Sequence, residues 1–138
     1  MANRITSGPF FVPLSIDNTA TGAVQYLFIG FKNLADTTSS VILTVHKCAD
    51  ILLYPPNTPP EVQFFREKVV IPAGDCAVVR IESGANTFTG NNMLRVEIAG
   101  DTDEDAEGIV VTLSGTTFDG RQVLSMVFKH EDFVELDD

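Results

Sequence analysis

Residues 69–82 read VVIPAGDCAVVRIE, two β-branched runs separated by Pro72-Ala73-Gly74-Asp75. Proline suits position i+1 of a type I turn and glycine suits i+3, where it can take the left-handed conformation that closes a short bulged hairpin. The stretch therefore predicts two antiparallel strands joined by a tight turn. After the turn, Ala77, Val79 and Ile81 share one face while Arg80 and Glu82 lie on the other. This is the pattern of a strand with one side on a core and one in water.

The same period of two recurs on both sides of this stretch. Phe10, Val12, Leu14 and Ile16 alternate with Phe11, Pro13, Ser15 and Asp17, and the proline on the second face predicts a strand at a sheet edge. An edge strand near a chain end can pair with a neighbouring subunit. Residues 9–17 are thus a candidate exchangeable strand, with Phe10, Val12, Leu14 and Ile16 as the candidate subunit interface. The plainer alternative is the first strand of an ordinary sandwich. Val24 to Phe31, VQYLFIGF, is apolar on both faces and predicts a central strand covered on both sides. Further strands are expected over 41–47, 62–71, 93–98, 109–114 and 123–128. The run PPNTPP at 55–60 predicts a stiff surface loop, because proline brings no ladder donor.

That makes eight or nine short strands at sandwich-like spacing, with no ten-residue stretch of helical period. The predicted fold is all-β: a single-domain antiparallel β-sandwich, jelly-roll or immunoglobulin-like. Residues 1–8, MANRITSG, read as a flexible leader, 9–130 as the sandwich, and 131–138 as an acidic tail. A core drawing three or four apolar side chains from each strand, at ~1.5–3 kcal/mol per buried side chain, needs no metal or disulfide.

The chain has 138 residues and a formal charge of −10. Ten of its nineteen acids sit in two clusters: Asp101, Asp103, Glu104, Asp105 and Glu107, then Glu131, Asp132, Glu135, Asp137 and Asp138. The remaining nine balance the nine bases, so the body is close to neutral. This charge argues against nucleic acid or an anionic membrane as partner, because phosphate binding draws on Lys and Arg. Neither terminus carries an apolar run of signal-peptide or membrane-spanning length. The expectation is synthesis in a cytoplasm, with an external position, on a spore or virion, left open.

Asp101, Asp103, Asp105 and Glu107 place oxygens at alternate positions and are the candidate calcium ligands. The loop is not an EF-hand, since Ala106 and Thr112 stand where that motif needs glycine and a bidentate glutamate. Cys48 and Cys76 allow three readings: two thiols, a bridge within the chain, or a bridge between subunits. His46 and His130 are the only histidines, too few for a zinc set even with both cysteines. No nucleophile elbow, phosphate loop or dinucleotide fingerprint occurs, so no catalytic residue and no resident cofactor is nominated. A carbohydrate platform would draw on Tyr54, Phe88 or Phe118 in a chain with no Trp.

From Asn18 to Phe128 the layout resembles the small jelly-roll proteins of bacterial spore surfaces and spore appendages. The resemblance is carried by IPAGD feeding AVVRI, then VEIAG, and a closing strand before an acidic tail. It implies a self-assembling structural subunit. In those appendage families an extended N-terminal connector with cysteines links subunits; the leader here has none, so covalent linkage is not carried over. The expected role is a non-enzymatic β-sandwich that assembles with copies of itself into a fibre, shell or surface layer. The alternatives are a ligand- or carbohydrate-binding module with a calcium loop and a phage decoration protein. Calcium is separable by melting: if the 101–107 loop binds it, millimolar calcium must raise the Tm above that in EDTA, and an unchanged Tm removes the site.

Overall fold

In the computed structural model, residues 3–48, 60–102 and 108–136 are described. They form β1 (Asn3–Phe11), β2 (Val24–Asn33), β3 (Ser39–Cys48), β4 (Val62–Ile71), β5 (Cys76–Glu82), β6 (Met93–Gly100), β7 (Ile109–Thr117), β8 (Gln122–Phe128) and β9 (Val134–Glu135). Two single 3-10 turns, Ala20–Gly22 and His130–Asp132, are the only helical pieces among the described residues. Sheet I has the order β4-β3-β6-β1-β9 and sheet II the order β5-β2-β7-β8. Every named strand pair is antiparallel. The fold is an all-β sandwich, as the alternation predicts.

The core follows from the period of two. Val41, Leu43 and Val45 of β3 and Leu94, Val96 and Ile98 of β6 meet Leu27, Ile29 and Phe31 of β2 and Ile109, Val111 and Leu113 of β7, all buried. These strands are β-branched or leucine-rich at alternate positions, which suits a pleated surface with one packed face. Phe10 packs on Phe128 with ring centroids 5.2 Å apart, and Phe128 in turn meets Phe133 at 6.4 Å. Aromatic contacts thereby join β1, β8 and the segment after β8.

The stretch 69–82 is not a hairpin. β4 pairs with β3, through Ile71↔Ser39, whereas β5 pairs with β2, through Cys76↔Lys32. Its turn is a corner that carries the chain from sheet I to sheet II. Asp75 N–H donates to Pro72 C=O at 3.0 Å, and Gly74 has φ of 76°. Proline therefore occupies position i and glycine position i+2, the type II arrangement in which i+2 must be left-handed. A period of two cannot distinguish these outcomes, because strands on opposite walls also turn alternate residues inward.

Asn33, at the end of β2, holds the corner. It is fully buried. Its side-chain amide donates to Ile71 C=O at 2.8 Å and Thr37 C=O at 3.0 Å, and its Oδ1 accepts from Ala35 N–H at 2.9 Å. Its backbone N–H donates to Asp75 C=O, and its carbonyl accepts from Gly74 N–H. Lys32 Nζ also donates to Gly74 C=O. One residue thus ties β2, the crossover to β3 and the β4–β5 corner, with all its polar groups engaged.

Two expectations about the ends and one about β2 are corrected. The leader does not end at residue 8: β1 begins at Asn3 and pairs with β6 from Asn3↔Gly100 to Phe11↔Met93. Thr6 and Ser7 make this polar stretch a strand, since Thr6 Oγ1 donates to Val96 C=O and Ser7 Oγ accepts from Val96 N–H across the bulge before Pro9. Residues 12–17 are consequently connection rather than strand. The acidic tail is also docked as far as Leu136, because Phe133 is buried, β9 pairs with β1, and Leu136 N–H donates to Arg4 C=O. The outer face of β2 is half-exposed, with Tyr26 and Phe28 side by side at 5.8 Å, rather than covered by another layer.

Replacing Asn33 by Ala strands Ile71 C=O and the neighbouring loop groups without partners. The expected cost is about 2–4 kcal/mol, measurable as a lower urea midpoint at unchanged m-value.

Candidate functional site

Among the described residues four strands form the sheet edges, and three of them carry devices that blunt an edge. β4 exposes Arg66, Glu67 and Lys68 in succession and has a register shift at Val45/His46 of its neighbour. β9 is two residues long. β8 is bowed: four residues between Val123 and Phe128 stand against one between Leu113 and Gly115. Charge, shortness and bulging are the standard means of preventing edge-to-edge pairing.

β5 differs. Its seven residues pair with β2 without interruption, from Tyr26↔Glu82 to Lys32↔Cys76. Ser83 N–H donates to Gln25 C=O at 2.8 Å, and Asp75 C=O accepts from Asn33 N–H at 2.9 Å. In an antiparallel ladder such residues alternate, so the odd-numbered residues bond to β2. Cys76, Val78, Arg80 and Glu82 therefore direct their N–H and C=O groups away from the sheet, toward solvent.

The two charges on this edge are turned back onto their own sheet. The Arg80 guanidinium lies 4.8 Å from the centroid of the Tyr26 ring, a cation–π contact. Glu82 Oε1 accepts from Gln25 Nε2 at 2.9 Å. What the edge presents outward is a backbone ladder, the Arg80 stem and Val78, which is 67% exposed.

The residues singled out from sequence are dispersed. Phe10 and Val12 are buried in the core, while Leu14 and Ile16 are exposed in the connection after β1. They do not form one surface, because the alternation assigned to a strand over 10–16 breaks after Phe11. Cys48 ends β3 and Cys76 begins β5, and both are free thiols. Cys76 lies at the end of the sandwich where β3 starts, so nine β3 residues, about 30 Å at strand rise, separate the two ends. A bridge within the chain is excluded by that distance.

Of the candidate calcium ligands, Asp103, Asp105 and Glu107 lie outside the described residues. Asp101 accepts from Ser40 N–H at 3.0 Å. No group of three metal-binding side chains occurs among the described residues. His130 Nδ1 accepts from Val111 N–H, and His46 lies on the outer face of sheet I, so the histidines serve different neighbours. Phe88 is buried core, Phe118 is exposed at the β7–β8 turn, and Tyr54 is outside the described residues.

Two ionic clusters went unread in the sequence because their members are far apart in it. Arg95 forks onto Glu61 at 2.8 and 2.9 Å and reaches Glu97 at 2.9 Å; His46 Nδ1 lies 3.6 Å from Glu61. The Arg95 guanidinium holds the Glu61 carboxyl below its usual range. This network anchors the start of β4 to β6 on the outside of sheet I. Near β8, Asp17 accepts from Thr19 Oγ1 at 2.5 Å and from Arg121 Nη1 at 2.8 Å, and Arg121 Nε also donates to Asp119. A Cβ on Gly22 would come within 2.0 Å of Asp17 Oδ1, so a larger residue there would push the Asp17 carboxylate out of this cluster.

The chain matches no protein-family model, no curated protein and no solved structure.

The Thr19 hydroxyl and Arg121 hold the Asp17 carboxyl down from 3.8 to about 2. A depressed carboxylate stabilises the fold above its unfolded pKa, and that stability fades as pH falls between 3.8 and about 2. Asp17→Asn should therefore flatten the acid limb of the stability curve in that window and leave its slope near neutrality unchanged, as read by urea melts at stepped pH.

Proposed function

We propose that this chain is a non-enzymatic structural protein, a β-sandwich subunit that associates with copies of itself. The observation supporting this reading is the β5 edge: continuous, unbulged, and with both of its charges drawn inward, where the other three edges are blunted. A free edge of this kind is a template for main-chain pairing, and burying Val78 adds to the gain. The resemblance of residues 18–128 to spore-surface and spore-appendage proteins points the same way. One such edge per subunit gives a closed pair, and a fibre, shell or surface layer outside the cell, the role the resemblance implies, would be built from that pair.

Charge favours association at this place. The chain carries −10 overall, but β5 itself holds one arginine and one glutamate, so two copies meet there without net repulsion between the strands. Ten acids lie in the two clustered segments instead.

Size-exclusion chromatography with light scattering is expected to show mass rising with concentration above that of one chain. Val78→Pro removes an outward N–H while leaving the β2 ladder intact, a position where an edge strand accepts proline. With one hydrogen bond lost from each copy, at about 1 kcal/mol apiece, association should weaken by about tenfold or more. A wild-type chain that stays monomeric at millimolar concentration would overturn the reading.

A further inference from the structure

The geometry points to a specific arrangement: two copies pair antiparallel through β5 about a two-fold axis at Val79, fusing their four-stranded sheets into one. This rests on the self-association through β5 proposed above and adds the partner's orientation and register.

The direction of the outward groups limits the choice. Only even-numbered β5 residues present N–H and C=O to a partner, so an antiparallel copy must place even opposite even. An axis through Val78 would face Glu82 with Gly74, whose N–H is already donated to Asn33 C=O, which leaves axes through Val79, Arg80 or Ile81. The Arg80 axis sets Arg80 opposite its own copy, with like charges facing across the strands. The Ile81 axis sets Arg80 opposite Glu82 but leaves Cys76 beyond the ladder and faces Val78 with Gly84, whose N–H is already donated to Phe88 C=O at 2.9 Å.

The Val79 axis pairs Cys76 with Glu82 and Val78 with Arg80, in both directions. All four outward residues of each copy then exchange N–H···O bonds, about eight in total. The exposed Val78 side chain comes to lie beside the aliphatic stem of Arg80. That stem is available because the guanidinium is held over Tyr26, 4.8 Å from the ring centroid. The Ile81 axis would gain its ion pairs only by pulling Arg80 off Tyr26 and Glu82 off Gln25, contacts the subunit already makes. A second copy is therefore the occupant that satisfies every free group of this edge.

Cys76 reports the register directly. About the Val79 axis its Cα lies about 5.5 Å from that of residue 82 in the other copy, inside the range a disulfide spans. Within one chain the same two positions are about 20 Å apart along the strand. The test is Glu82→Cys in a Cys48→Ser background, oxidised mildly with copper-phenanthroline in air and run on a non-reducing gel. The expected product is a covalent dimer with its free thiols lost, forming about tenfold or more faster than when Val78→Pro is added.

If the Glu82→Cys protein remains a dimer by light scattering but does not cross-link, the Val79 axis is wrong while self-association stands. Cross-linking at equal rates with and without Val78→Pro overturns the edge pairing itself. If the wild-type chain is monomeric, the reading beneath the proposal fails as well, and the edge is left to a different strand.

Discussion

Asn33 is the constraint on which the two-sheet arrangement depends. Two chain crossings between the sheets, β2 to β3 and β4 to β5, occur at the same end of the sandwich. Both expose backbone groups that neither sheet can satisfy, because each strand has just left its own ladder. One buried amide supplies the missing donors and acceptor. An apolar side chain of similar volume would fill the space and leave these groups unpaired, at the full cost of burying them dry. The corner is thus built from polar chemistry inside an otherwise apolar core, and it fixes where β5 starts.

From that starting point follows the contrast among the edges. β5 leaves a tightly held corner and runs straight, in register with β2 throughout. β8 leaves an ordinary turn at Asp119-Gly120 and bows away from β7. The chain's charge is apportioned accordingly: charged residues stand out from β4, whereas those on β5 are occupied by Tyr26 and Gln25. A cation over a ring and an amide on a carboxylate are weak contacts at a surface, each worth under about 1 kcal/mol. Their effect is positional, since they decide which atoms face a neighbour.

Much of the fold was legible in the sequence, and the reason is specific. Alternation places Val41, Leu43 and Val45, or Leu94, Val96 and Ile98, on one face whatever the strand order. It accordingly marks the strands from β2 to β8 to within a few residues of their ends. Alternation says nothing about which wall a strand joins, so 69–82 read as a hairpin although it is a corner. The deciding residue, Asn33, carries no local signal, because its partners Thr37, Ile71 and Asp75 are distant or unremarkable in sequence. β1 was displaced for the opposite reason: Thr6 and Ser7 are polar, and only their bonds to Val96 make them strand. The edge that nominates a function has no local signature either. Its distinction is that β5 has one neighbour among the described strands, which is a property of strand order, and that Arg80 lies over a ring 54 residues earlier in the chain.

The position of β1 has a consequence in time. Its ladder partners are β6, which starts at Met93, and β9, at Val134–Glu135. Ile5, Phe10 and Val12 leave the ribosome early and have nothing to pair with until β6 follows. At roughly 5–20 residues per second, that wait is on the order of 5–20 s. Closure of sheet I is therefore a late, long-range event, of the kind that makes β-sandwiches slow to fold. During synthesis the first strand of this chain is an apolar segment in need of a temporary cover, and the order in which the ribosome delivers the strands matters as much as the contacts they finally make.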